Sequence, residues 1–254
     1  MKRPDFIMGG ATHGGANTLL RILDNHPRIF IPRLKTHRYF LQGGLTKGIM
    51  TSCRPDFATA AYGDQTQKSP FLFGEKQYNA ALVAEQCPNA KIILSLRDPA
   101  ERACRLFYWA RAKKREPLRK FEDAVEVEMM GERTPENSPL CWLYKNQYEY
   151  HVKKWVSSFP AQNILLLIYE EWTNPDFNGL EPLERFLDLD IGSLVEEYNE
   201  NFNAKEWINV LRDRKPPKYK PLSKRLRGKL EDVFAPDKAY ISRLLNRDIP
   251  SWSV

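Results

Sequence analysis

The residues best suited to chemistry lie near the amino end, in Gly9-Gly10-Ala11-Thr12-His13-Gly14-Gly15-Ala16-Asn17-Thr18. Four glycines between an apolar strand pattern and an amphipathic segment let backbone N–H groups converge on one point. The helix that follows adds partial positive charge there, so the loop suits a phosphate or sulfate. Gly10 and Gly15 have the spacing of a Walker-type phosphate loop, but Ala16 and Asn17 stand where its lysine and magnesium-binding hydroxyl belong. That argues against an ordinary ATPase or GTPase. Taken alone, the glycines are equally explained by a tight strand-to-helix turn, so a second anion-binding element is needed to decide.

That element is Arg97-Asp98-Pro99-Ala100-Glu101-Arg102, directly after the apolar run Ile92-Ile93-Leu94-Ser95-Leu96. Asp98 suits a helix N-cap, Pro99 the first helical position and Glu101 the reciprocal partner of a capping box. Arg97 is thereby held at a strand end, where a guanidinium can clamp a phosphate through paired, charge-assisted hydrogen bonds. Arg102, Arg105 and Trp109 recur at helical spacing behind it. For Arg102, an ion pair with a neighbouring acid is the expected role.

Buried strands are expected at 5–8, 71–73, 92–96 and 164–168, since short apolar runs bounded by helical patterns suit a parallel sheet covered on both faces. Helices are expected at about 17–25, 78–86, 99–115, 139–158 and 177–188, with two more near 222–234 and 236–246. This alternation predicts a three-layer α/β/α fold with a central parallel sheet. In such folds ligands gather beyond the carboxyl ends of the strands, where the glycine loop would lie.

No linker, repeat or low-complexity tract divides the chain, which reads as a single domain over 1–254. A net charge of +7 fits an anionic ligand or a solvated surface. Zinc-finger spacing, a long basic helix and aromatic RNA-binding signatures are missing, so nucleic acid is not the expected partner. Cys53, Cys87, Cys104 and Cys141 are widely spaced, indicating neither a zinc site nor a disulfide framework. No apolar run reaches membrane-spanning length, and the expectation is a cytoplasmic protein without a membrane partner.

Read in order, the strand, the glycine loop, His26-Pro27, Ile29-Phe30-Ile31-Pro32, Lys35-Thr36-His37-Arg38-Tyr39-Phe40, Gly74-Glu75-Lys76 and Leu96-Arg97-Asp98-Pro99 resemble the sulfotransferases that use 3′-phosphoadenosine 5′-phosphosulfate (PAPS). The resemblance is to the branch holding the heparan sulfate sulfotransferase domains and their small bacterial relatives. It extends through Lys218-Tyr219-Lys220-Pro221-Leu222 to Trp252. It implies the P-loop-like sulfotransferase fold, PAPS as donor with 3′-phosphoadenosine 5′-phosphate (PAP) as product, no metal, and a small-molecule acceptor. Thr12, His13, Gly14, Gly15, Ala16, Asn17 and Thr18 would hold the 5′-phosphosulfate. Arg97 and Arg105 would take the 3′-phosphate, and Lys218 and Tyr219 complete the implied donor set.

Three departures from the family pattern mark this chain. His13 replaces the loop lysine that stabilises charge on the bridging oxygen, a task His13 would perform as an imidazolium or proton donor. Arg105 replaces a serine that contacts the 3′-phosphate. Thr36 replaces the glutamate base, leaving His37 as the candidate base and Lys76 as the residue that would touch the sulfuryl group or the acceptor. The expected function is sulfuryl transfer from PAPS to a hydroxyl or amine. The alternative is a catalytically impaired nucleotide-binding or regulatory protein on the same fold, and a nucleotide-kinase-type phosphotransferase ranks lower because the Walker lysine is missing. Tyr39, Phe40, Trp109, Trp142, Trp155 and Trp207 are candidates for an acceptor pocket or for the core.

Overall fold

The computed structural model describes residues 4–24, 26–30, 58–62, 80–174, 179–191 and 221–252. Five strands, β1 (Phe6–Gly10), β2 (Ile29–Phe30), β3 (Ala58–Tyr62), β4 (Lys91–Leu96) and β5 (Ile164–Ile168), form one sheet in the order β2-β3-β1-β4-β5. Every neighbouring pair is parallel, with Ile7 opposite Ala61 on one side and Ile92 on the other, and Ile92 opposite Ile164.

Side chains alternate across these strands because the pleat has a period of two. Phe6, Met8, Ile93 and Leu167 face α1 (Ala16–Asp24) and a later helix, Glu181–Leu187, through Leu19, Ile22, Leu23 and Leu183. Ile7, Ile92, Leu94 and Leu96 face Ala80 and Val83 of α2 (Ala80–Gln86), and also Tyr148, Val152 and Trp155. Both faces are covered, so the three-layer expectation holds. The expected strand at 71–73 lies outside the described residues. β3 was not foreseen, since Ala58-Thr59-Ala60-Ala61-Tyr62 lacks the β-branched run that marks a buried strand; it is placed by pairing with β1 and β2.

Beyond β4 runs α3 (Pro99–Ala112), which ends earlier than 115 where Lys114 turns to φ 57°. An unforeseen α4 (Phe121–Met129) packs Phe121 and Val125 beside Phe107. The helix expected over 139–158 is a short 3-10 turn at Tyr144–Asn146 followed by α5 (Tyr148–Val156). Asn146 causes this break: its Nδ2 donates to the Trp142 carbonyl while its Oδ1 accepts from Arg102. After β5 come α6 (Tyr169–Trp172) and α7 (Glu181–Leu187).

The two expected carboxyl-terminal helices are one, α8 (Lys224–Leu245), with Pro236 inside it. Proline removes one backbone hydrogen bond from a helix interior. Here the buried series Leu226, Leu230, Phe234, Asp237 and Ile241 carries a single packed face past that point, and tertiary burial outweighs the local defect. Asp237 Oδ1 accepts from the Glu149 N–H at 2.9 Å, capping the first turn of α5 from another helix. Burial pushes the Asp237 carboxyl up from 3.8 to about 6. A raised folded pKa means that ionisation disfavours the fold, so this group's contribution to stability falls as pH rises from about 4 to about 6. Asp237→Asn keeps the acceptor oxygen without the charge and is expected to flatten that part of the stability profile. Urea midpoints measured from pH 4 to pH 7 check it, and a wild-type slope in the variant would contradict the assignment.

A candidate anion-binding active site

The chain passes from β1 to the β2/β3 side and then crosses to β4 on the other side of β1. The carboxyl ends of β1 and β4 therefore diverge at a topological switch point, where open α/β sheets bind their ligands. The glycine loop leaves one of these ends and Arg97 the other.

Three residues of the loop have positive φ: Gly10 at 133°, His13 at 62° and Gly15 at 87°. The Ala11 N–H donates to the Ser95 carbonyl at 2.8 Å, fixing the loop to the end of β4, and the Gly14 N–H turns back to the Ala11 carbonyl at 2.9 Å. The Ser95 hydroxyl donates to the Gly14 carbonyl and accepts from Trp172 Nε1. A Cβ on Gly14 would sit 2.2 Å from the Ser95 carbonyl oxygen, and one on Gly15 would sit 2.3 Å from the Trp172 ring. Both positions require glycine. Among the described residues, the N–H groups of Thr12, His13, Gly15 and Ala16 make no backbone hydrogen bond. Unpaired N–H groups at a helix start form an anion cradle.

Arg97 faces this cradle from the neighbouring strand. Its Nη1 lies 3.4 Å from the His13 carbonyl, its guanidinium carbon 4.2 Å from the Tyr169 ring centre, and its Nε 3.7 Å from Glu170 Oε1. The Tyr148 hydroxyl accepts from the Arg97 N–H and donates to the Arg97 carbonyl at 2.7 Å. Asp98 is the N-cap as expected, accepting from the Glu101 N–H at 2.9 Å, with Pro99 opening α3. The capping box is not closed by Glu101. The Asp98 N–H goes instead to Glu170 Oε1, and Glu101 lies 3.6 Å from Arg227. Buried Asp98 is also gripped by both terminal nitrogens of Arg227 and by Lys238 at 3.1 Å, latching α8 to the base of the Arg97 turn.

Where an ion pair with a neighbouring acid was expected, the hydrogen bonds Arg102 makes to described residues go to neutral oxygens. The Arg102 side chain is buried under the loop, with Nε donating to the Thr12 carbonyl at 2.8 Å and Nη1 to the Lys145 carbonyl and Asn146 Oδ1. It supports the cradle from below. His13 is half-buried above it, with its ring 6.1 Å from that of Trp109 at an angle of 70°; Arg115 lies over the same Trp109 ring. Burial, then Arg102, Arg105 and Arg97 in that order, pushes the His13 imidazole down to about 3. In the free site His13 is therefore held neutral at neutral pH, and the imidazolium requires the bound phosphate.

Thr12, His13, Gly14, Gly15 and Arg97 thus meet at one place, and Arg105 is near enough to lower the His13 imidazole pKa. Ala16 and Thr18 are buried in the first turn of α1, so Ala16 offers only its backbone; of Asn17 only the backbone is described. His37, Lys76, Lys218 and Tyr219 lie outside the described residues. Trp142 and Trp155 belong to the core, whereas Trp109 borders the site. The supports Ser95, Tyr148, Tyr169, Glu170, Trp172 and Trp252 were not foreseen. For Tyr169 and Glu170 a signal existed, since both directly follow the carboxyl end of the buried run 164–168. A cavity of about 400 Å³ bounded by Phe6, Cys87, Lys91 and Leu189 opens at the opposite, amino ends of the strands. Among the described residues, no cluster of His, Cys, Asp or Glu is arranged to hold a metal, and no helix is long and apolar enough to cross a membrane.

A family model described as a sulfotransferase domain matches residues 3–229. The bifunctional heparan sulfate N-deacetylase/N-sulfotransferase 1 of Caenorhabditis briggsae is 24% identical over 276 residues, covering 98% of this chain and 31% of its own length. The human N-deacetylase/N-sulfotransferase 3 is 25% identical over 283 residues, again 98% of this chain and 31% of its own. The chain thus spans about a third of these relatives. A crystal structure of a sulfotransferase from Alicyclobacillus acidocaldarius superposes with a TM-score of 0.72 at 22% identity, covering 100% of both chains. A mouse sulfotransferase complexed with PAP gives 0.57 at 16% identity, covering 97% of this chain and 88% of the other. Both share the fold.

Proposed function

Because the chain belongs to the sulfotransferase domain family, we propose that it transfers a sulfuryl group from PAPS to a hydroxyl or amine of a small-molecule acceptor. The observation that carries this reading is the convergence of the glycine cradle with Arg97, whose Nη1 lies 3.4 Å from the His13 carbonyl.

The residues present fit such a donor. The cradle offers N–H groups to an anion, Arg97 Nε is buried without a hydrogen-bond partner among the described residues, and Arg102 and Arg105 add positive charge close by. The bound donor would supply an electrophilic sulfur and a phosphate leaving group. The loop N–H groups would hold the phosphosulfate oxygens, with Arg97 and Arg105 on the 3′-phosphate. His13 would stabilise charge where the sulfur–oxygen bond to phosphate breaks as the bond from sulfur to the acceptor oxygen or nitrogen forms. From their places in the sequence, His37 would take the acceptor proton and Lys76 would contact the sulfuryl group. Charge neutralisation by backbone N–H groups and guanidiniums gives a metal no necessary part.

The neutral resting state of His13 has a measurable consequence. An anion bound in the cradle opposes the three arginines and raises the imidazole pKa, so donor binding takes up a proton and tightens as pH falls. Calorimetric titration with PAP, without magnesium, in buffers of different ionisation enthalpy is expected to show net proton uptake that grows as pH falls from about 7 to about 5. His13→Ala should abolish that uptake and depress turnover more than affinity. Zero uptake by the wild type would leave His13 a neutral hydrogen-bond donor, and no PAP binding would sink the donor assignment. The second reading, a nucleotide-binding protein with impaired catalysis, is favoured by this same lack of a standing positive charge at the loop position. It predicts PAP binding without transfer of labelled sulfate to any acceptor.

A further inference from the structure

We propose that Glu170 is a positioning residue for donor recognition, holding Arg97 in the orientation that grips the 3′-phosphate. The proposal rests on the donor reading above and adds a residue that does not itself reach the ligand.

The short helix α6 supports both halves of the site. Tyr169 lies under the Arg97 guanidinium and, with Trp172, closes over Gly15; the Trp172 indole holds the Ser95 hydroxyl that donates to the Gly14 carbonyl. Between these two rings, Glu170 aims its carboxylate at the base of Arg97. The side chain of Arg97 is 12% exposed, and its Nε has no hydrogen-bond partner among the described residues; the carboxylate at 3.7 Å is the opposite charge that compensates its burial. With Nη1 turned to the His13 carbonyl, Nη2 makes no hydrogen bond among the described residues and remains for the ligand.

Glu170 is itself held from two sides. Its Oε1 accepts from the Asp98 N–H at 3.1 Å and its Oε2 from Trp252 Nε1 at 2.9 Å. Two donors on two oxygens call for a carboxylate. A glutamine in this position has one oxygen, and its amide would set N–H against N–H at either Asp98 or Trp252. Burial raises the Glu170 pKa, a cost that a residue without a charged partner in place would not sustain. Trp252 is buried near the carboxyl end, and its indole extends the chain of support from the last turn of the molecule to the Arg97 guanidinium.

The test compares two nucleotides that differ only in the group Arg97 is assigned to hold. Calorimetry with PAP and with adenosine 5′-monophosphate, which lacks the 3′-phosphate, is run on wild type, Glu170→Gln and Trp252→Phe. Glu170→Gln is expected to weaken PAP roughly tenfold, the scale of one charge-assisted contact, while affinity for adenosine 5′-monophosphate changes less than about twofold. Trp252→Phe keeps a ring in the buried position and should act in the same direction by roughly threefold, and it carries the comparison if Glu170→Gln does not fold. With turnover, the PAPS KM should rise while kcat at saturating donor stays unchanged. Equal losses for both nucleotides, or none, would overturn the positioning role. A wild type that binds PAP no better than adenosine 5′-monophosphate would instead overturn the assignment of Arg97 to the 3′-phosphate, and this inference with it.

Discussion

Arg97→Met is expected to weaken PAP binding by about two orders of magnitude, the consequence of removing one partner of a largely desolvated charge pair, about 3 kcal/mol. The reason is geometric. Arg97 is the cation that faces the cradle from a separate strand, held by the Tyr169 ring, Glu170 and the Tyr148 hydroxyl rather than by a flexible surface segment. A preorganised guanidinium loses little freedom when the ligand arrives, so most of its interaction appears as affinity. Methionine retains the apolar stem, and its thioether can rest on Tyr169 where the guanidinium lay. Glu170 keeps its bonds from Asp98 and Trp252 but loses its opposite charge, so some loss of stability accompanies the change while the fold is retained. Calorimetry with PAP and a parallel thermal melt check both halves of the expectation. Affinity within about threefold of wild type would mean that Arg97 is only a structural strand-end residue.

The second large effect is expected at Gly14. An alanine Cβ there meets the Ser95 carbonyl oxygen at 2.2 Å and the Ala11 carbonyl oxygen at 3.0 Å, both backbone atoms that no side-chain rotation can clear. The loop must lift away from β4, breaking the Ala11 to Ser95 hydrogen bond and the Ser95 hydroxyl contact. Gly14→Ala should therefore destabilise the protein by about 3 kcal/mol and abolish donor binding, because the cradle N–H groups no longer converge. Gly228→Ala is the matched control: it lies inside α8 with open space around the added Cβ, and should instead stabilise by about 0.5–1 kcal/mol. Urea denaturation of the two variants gives opposite signs if the packing account holds. A Gly14→Ala protein with wild-type stability would show that the loop has room the structure does not display.

The strand ends were legible because local signals coincided there. β5 occupies its expected span, β4 begins only one residue earlier, and Asp98-Pro99 opens α3 where expected. The same locality misled the sequence reading elsewhere. Glu101 has capping-box spacing, yet the Asp98 N–H is taken by Glu170, a residue 72 positions away. Pro236 has the look of a helix boundary, yet one buried face runs through it. Arg102 was expected to find an acid close in sequence, and it supports the Thr12, Lys145 and Asn146 oxygens from below the loop. In each case a contact distant in sequence displaced a plausible near neighbour.

The candidate site divides along the same line. The glycines, the arginine at a strand end and the absence of a Walker lysine follow from the sequence alone, because steric freedom, N-capping and the chemical type of a side chain are properties of short segments. The division between the arginine that faces the cradle and the one that holds up the loop was decided only by tertiary structure, and so was the downward shift of the His13 imidazole among three arginines. The physical reason is that burial and charge act through space. Whether Arg97 is poised or His13 protonated depends on groups brought within a few ångströms by β4, α3 and α6, and sequence spacing does not encode those distances.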